Sequence, residues 1–219
     1  MRQTLLLACL FYCVHVFAQN DSIKINSLPR AMGWENKPTK PVVVTSNNIT
    51  IIADKETDQY TDADGYYSNS APKLLFAPDE NFTFSVKIKL GFDSVYEGGA
   101  LVIYTDSLNW VKLLFERADE KSIMVSSSVV KNKVSDDNYH NIIKGKEVYL
   151  KISKANKTYC LYYSLDGKQW NVVRSFTYDK TSAMRLGISA QSPKGPSTTV
   201  VFSDIKYKPV GFTNYFTGE

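Results

Sequence analysis

The chain is poor in cysteine and histidine, and each shortage removes a class of function. It has three cysteines and two histidines in 219 residues. Cys9, Cys13 and His15 fall in a segment that reads as a leader: Arg2, the apolar run Leu5–Phe17, then a small-residue exit at Val16-Phe17-Ala18. That pattern predicts a signal peptide over residues 1–18, cleavage before Gln19 and a secreted or periplasmic mature chain. Cleavage would leave Cys160 alone, so no intrachain disulfide is expected and the domain must hold by its core; about 200 residues suffice for one. Set in TYCLYY, Cys160 reads as a buried small hydrophobe. With only His140 remaining and no CxxC or HExxH spacing, a histidine-rich zinc site is excluded.

Long apolar runs and charge of one sign are also missing. The leader run is shorter than the roughly 20 residues of a membrane helix and no second run follows, so no membrane span is expected. The net charge of +4 falls to +3 without Arg2, and the lysines are scattered, so neither nucleic acid nor an anionic membrane is implied as a partner. Sustained helical periodicity is absent as well.

What the chain does have is one short strand after another. Residues 19–33 form a polar lead-in, and Trp34 anchors an irregular, proline-bearing segment. Phe82, Phe84, Val86, Ile88 and Leu90 then alternate with polar residues, the cleanest strand signal in the chain. Similar runs cover Asn48–Ala53, Ala100–Tyr104, Trp110–Arg117, Ile123–Val130, Val148–Ser153, Tyr159–Leu165, Gln169–Phe176, Met184–Ala190 and Thr199–Tyr207. Asp166-Gly167 predicts a type I′ hairpin, and Ser135-Asp136-Asp137-Asn138 a turn or cap cluster. Asp54–Pro72 is read as one long loop. Strands at this spacing give an all-β sandwich in residues 34–208, followed by a tail over 209–219.

Five segments in order, TDADGYYSNSAP, NWVKLLFER, SSSVVKNKVSDD, YSLDGKQW and RLGISAQSP, resemble those of a bacterial and fungal concanavalin A-like β-sandwich family of unknown function that includes the yeast regulation-of-enolase protein. The resemblance implies a jelly roll of two antiparallel sheets, one concave, in a fold shared with lectins and glucanases. The chain departs from the family at Tyr96-Glu97-Gly98-Gly99, where an Asp-Gln pair is usual. Fold analogy alone assigns no activity.

The candidate site comes from alternation in Asn109–Arg117. Val111, Leu113 and Phe115 point to the core, while Trp110, Lys112, Leu114 and Glu116 share the other face. Tyr104 falls beside Trp110, and Ser126 and Ser128 join from a further strand. Rings stack on sugar C–H faces and charged groups bind hydroxyls, so a poly- or oligosaccharide is the expected partner. In this reading Trp110 and Tyr104 stack, Lys112, Glu116, Ser126 and Ser128 bind hydroxyls, and Tyr66 and Tyr67 close one end. The competing structural reading makes Lys112 and Glu116 a surface ion pair and packs Trp110 under a loop. Asp62-x-Asp64-Gly65 invites calcium, but the EF-hand spacing fails at Tyr60 and Ala71. No cofactor is expected beyond a structural calcium. The expected function is non-catalytic, lectin-like recognition. The alternatives are a glycoside hydrolase or lyase with Glu116 as a catalytic carboxylate, and a structural or adhesive interaction module. Two features count against catalysis: Glu116 has no carboxylate two or four residues away on its own strand, and Lys112 beside it is expected to keep it ionised.

Overall fold

The computed structural model describes residues 22–219, and no helix occurs among the described residues. Sixteen strands run in chain order: β1 Gly33–Glu35, β2 Val43–Val44, β3 Ile49–Asp54, β4 Gln59–Thr61, β5 Tyr67–Asn69, β6 Lys73–Phe76, β7 Phe82–Leu90, β8 Gly98–Asp106, β9 Asn109–Arg117, β10 Ile123–Lys131, β11 Val134–Ile142, β12 Glu147–Ala155, β13 Thr158–Ser164, β14 Asn171–Thr177, β15 Arg185–Gln191 and β16 Ser197–Lys208. They form two seven-stranded antiparallel sheets, β1-β6-β15-β8-β9-β10-β11 and β14-β13-β12-β7-β16-β3-β2, plus the small β4-β5 hairpin. The fold is a concanavalin A-like jelly-roll sandwich.

Alternation decides what fills the space between the sheets. Ile49, Ile51, Phe82, Phe84, Val86, Ile88, Leu150, Ile152 and Phe202 come from one side. Leu101, Ile103, Val111, Leu113, Phe115, Val125, Leu186 and Ile188 come from the other. In register, Leu101 faces Leu113 and Ile103 faces Val111, so both central strands of the first sheet send the same parity inward. Cys160 is buried and free. The segment before β1 contributes more than its polar composition suggested, because Ile25, Leu28 and Met32 belong to this same core.

Three local expectations are corrected. The loop before Pro72 contains the β4-β5 hairpin, whose three-residue strands are too short and polar to show a period. The Ser135–Asn138 cluster lies inside the edge strand β11, not in a turn. The two-residue turn with both φ angles positive sits just before it, at Asn132 (φ 51°) and Lys133 (φ 69°). At Asp166-Gly167 only Gly167 has a positive φ. There Asp166 instead accepts the amides of Lys168 and Gln169 on its Oδ1 within a longer loop.

Candidate functional site

The outer face of the first sheet is divided into a sealed half and an open half. Along β9 the outward positions are Trp110, Lys112, Leu114 and Glu116. They lie opposite Tyr104, Val102, Ala100 and Gly98 on β8, and opposite Val130, Ser128, Ser126 and Met124 on β10. The β4-β5 hairpin lies across the first half. Thr61 donates its hydroxyl to the Lys133 carbonyl (3.1 Å), Tyr67 to the Ser107 carbonyl (3.1 Å), and Asn69 donates to the Tyr104 hydroxyl (3.2 Å). Under this cover Leu75, Ala100, Val102, Tyr104, Trp110, Leu114 and Val130 form a second apolar cluster.

The open half is a groove of about 610 Å³. Lys112, Glu116, Ser126, Ser128 and Asp58 make its floor. Tyr60, Tyr66, Tyr96 and Tyr139 stand around it, with Asp62, Asp119, Asp137, Gln191 and Lys194 among the remaining walls. Three of these tyrosines are open to solvent, Tyr66 at 51%, Tyr96 at 44% and Tyr139 at 65%. The floor is the reverse: Lys112 is 4% exposed, and Glu116 and Asp58 are 7% each.

These placements change several assignments. Trp110 is 0% exposed and packs in the covered cluster, so its indole presents no face to a ligand. Tyr104 is buried in the same cluster, its hydroxyl donating to Glu35 at 3.3 Å. Tyr67 spends its hydroxyl on the hairpin anchor and carries Lys133 over its ring at 4.9 Å. These three are packing residues. Lys112, Glu116, Ser126, Ser128 and Tyr66 are brought together in the groove. Asp62 accepts the Tyr66 amide on its Oδ1 (2.9 Å) and so closes a turn. Among the described residues no three or more His, Cys, Asp or Glu side chains are grouped to hold a metal, so Asp62 and Asp64 assemble no such centre.

Lys112 and Glu116 are not a surface ion pair. The ammonium donates to the Gln59 carbonyl (2.5 Å) and to Gln191 Oε1 (3.0 Å), while Glu116 Oε1 accepts the Ser126 hydroxyl at 2.6 Å. Burial pushes the Glu116 carboxyl up; Lys112 and Ser126 pull it down, and Asp58 and Asp137 add to the rise. The direction is opposite to the one expected from Lys112 alone, since desolvation outweighs the neighbouring charge. Burial likewise raises Asp58 against Lys112 and the Gln59 amide. Tyr60 is pushed to about 12 by burial and by Asp137 and Asp62. Away from the groove, Arg174 pairs with Asp136 (2.8 Å) and Arg185 with Glu35 (2.9 Å).

Asp58, Tyr60, Tyr96, Asp137 and Tyr139 were not recognised as site residues in sequence. They come from a hairpin, a loop and an edge strand that only the folded sheet brings together. A run of tyrosines and aspartates in 58–67 was the one available signal.

The signature of the family described as "Protein of unknown function (DUF1349)" matches residues 34–210. The chain belongs to the DUF1349 family. It is similar to regulation of enolase protein 1 of Saccharomyces cerevisiae, 25% identical over 175 residues that cover 78% of this chain and 86% of the relative. A functionally unknown S. cerevisiae protein superposes with a TM-score of 0.74 at 25% identity, over 81% of this chain and 95% of the other. Xylan β-1,4-xylosidase from Bacillus halodurans C-125 shares the fold, with a TM-score of 0.59 and 18% identity over 74% of this chain and 32% of the enzyme. These comparisons also overturn the expected secreted or periplasmic placement. The matched DUF1349 relative and the superposed chain are both Saccharomyces cerevisiae proteins, and neither is described as exported. The leader on which that placement rested lies outside the described residues. The placement is withdrawn.

Proposed function

We propose that this DUF1349 protein binds a poly- or oligosaccharide in the groove on the outer face of its first sheet, without transforming it. One observation carries the reading: exposed tyrosine rings stand over a buried floor of carboxylates, hydroxyls and one ammonium. A sugar ring has two matching surfaces, C–H faces for the rings and hydroxyls for the charged groups. The stacking role passes from Trp110 and Tyr104 to Tyr66 and Tyr139. Lys112, Glu116, Ser126 and Ser128 keep their roles toward hydroxyls, joined by Asp58. The xylan-active enzyme that shares the fold is in keeping with a saccharide ligand.

A glycan array followed by calorimetry tests this. Tyr66→Ala and Tyr139→Ala should each weaken binding about tenfold, the loss of one stacked ring. Trp110→Phe should leave affinity within about twofold. A silent array, or affinity indifferent to both tyrosines, overturns the proposal and favours a protein-interaction module.

One observation favours a second reading, glycoside hydrolysis. Glu116 is a carboxyl whose burial favours the protonated form, and Asp58 is a second carboxyl on the same floor. Reducing ends released by the wild type and lost in Glu116→Gln, with binding retained, would establish that reading instead.

A further inference from the structure

The saccharide reading leaves the sign of the ligand's charge open, and the groove speaks to that. Five acidic side chains face it: Asp62, Asp119 and Asp137 in the walls, and on the floor Asp58 and Glu116, whose burial works against their charge until a cation lies beside them. Two ammonium groups oppose them, those of Lys112 and Lys194, and Lys112 is committed to the Gln59 carbonyl and Gln191 Oε1. Glu116 uses Oε1 on Ser126, which leaves Oε2 for the groove.

The rings give a separate indication. This protein repeatedly sets its own cations over tyrosine faces: Lys73 over Tyr104, Lys133 over Tyr67, Lys151 over Tyr162 and Lys154 over Tyr159. Among the described residues, no lysine or arginine lies over the rings of Tyr60, Tyr66, Tyr96 or Tyr139. The groove therefore offers four ring faces that hold no cation of the chain's own, next to carboxylates in excess. Rings and carboxylates together are what a desolvated ammonium needs, since a quadrupole face and a negative charge both attract it.

We infer that the ligand is an amine-bearing glycan, a chain of 2-amino sugars whose protonated amines lie between the tyrosine rings and the carboxylates of Glu116, Asp58 and Asp137. This rests on the saccharide reading above and adds the substrate class. Neutral glycans leave the excess negative charge uncompensated, and uronate glycans meet it with the same sign.

Calorimetry on the full chain at about pH 6 tests the inference with four tetramers: β-1,4-linked glucosamine, N-acetylglucosamine, xylose and galacturonate. The glucosamine tetramer should bind at least about tenfold tighter than its acetylated counterpart. That ratio should shrink severalfold between low and high salt, as screening requires. Asp137→Asn, on an exposed edge strand, should cut the ratio to about threefold or less while the acetylated tetramer binds as before. If the acetylated, xylose or galacturonate tetramer binds as tightly as the glucosamine one, the amine inference falls and the saccharide reading stands. If a lysine tetrapeptide binds tighter than every sugar, the ligand is a basic peptide and both fall. Silence from all five ligands overturns both as well.

Discussion

Lys73 shows how far this fold displaces a single charge. It is 0% exposed, donates to the Ala71 carbonyl at 2.8 Å, and lies over the Tyr104 ring. Burial is the main cause that brings its ammonium down to about 7, against opposing help from Glu35. In the unfolded chain the same lysine titrates at an ordinary value of 10.5. Between these limits the unfolded state binds more protons than the folded one, so stability must rise as pH rises from about 7 toward 10. Lys151, brought down to about 8 mainly by burial, adds to the upper part of that window. Unfolding free energies from urea titrations at pH 7 and pH 9 should therefore differ in favour of the higher pH, by on the order of 2 kcal/mol from Lys73. Lys73→Met should remove most of that slope. A slope that is flat in the wild type, or unchanged in the variant, would show that Lys73 titrates at its ordinary value.

The hairpin and the strands beneath it mark where the sequence stopped being readable. Alternation along β9 correctly separated Val111, Leu113 and Phe115 from Trp110, Lys112 and Glu116, because parity is a local property of one strand. It does not tell which outward residues another element will cover. Trp110 is sealed and Glu116 reaches the groove because the β4-β5 hairpin, roughly fifty residues earlier in the chain, lies over one half of the face. The edge strand β11 went unseen for a related reason: it is too exposed for a hydrophobic period. At element scale β6 and β15 approach closely where Gly187 faces Leu75. A Cβ on Gly187 would stand 2.0 Å from the Leu74 carbonyl oxygen and 2.9 Å from Leu75 Cα, both backbone atoms that cannot step aside. Gly187→Ala should therefore cost at least about 2 kcal/mol by denaturant unfolding. A neutral result would mean that β6 and β15 can part without loss.

For the whole molecule, the two sheets present their outer faces to different tasks. One carries the groove, and the other is overlaid by the chain's last residues. Tyr162 donates to the Tyr215 carbonyl (2.9 Å), and Lys151 donates to the carbonyls of Thr217 (2.7 Å) and Gly218 (3.2 Å). Gly218, at φ 68°, fits there because a Cβ would meet Lys151 Nζ and the Tyr162 ring at 2.8 Å. Beneath this strap the Lys151 ammonium lies 4.1 Å from the Trp170 ring centroid and 4.8 Å from that of Tyr162. Removing residues 212–219 strips acceptors from Lys151 and Tyr162 and wets an aromatic surface, which together should cost about 1–3 kcal/mol. In a chain of this size that lowers Tm by roughly 3–10 °C. The groove lies on the opposite side of a core built from both sheets, so its ligand affinity at 25 °C should stay within about twofold of wild type. A truncated protein that melts normally would show that the strap adds nothing to stability. One that melts normally but loses its ligand would mean that the strapped face, rather than the tyrosine groove, does the binding.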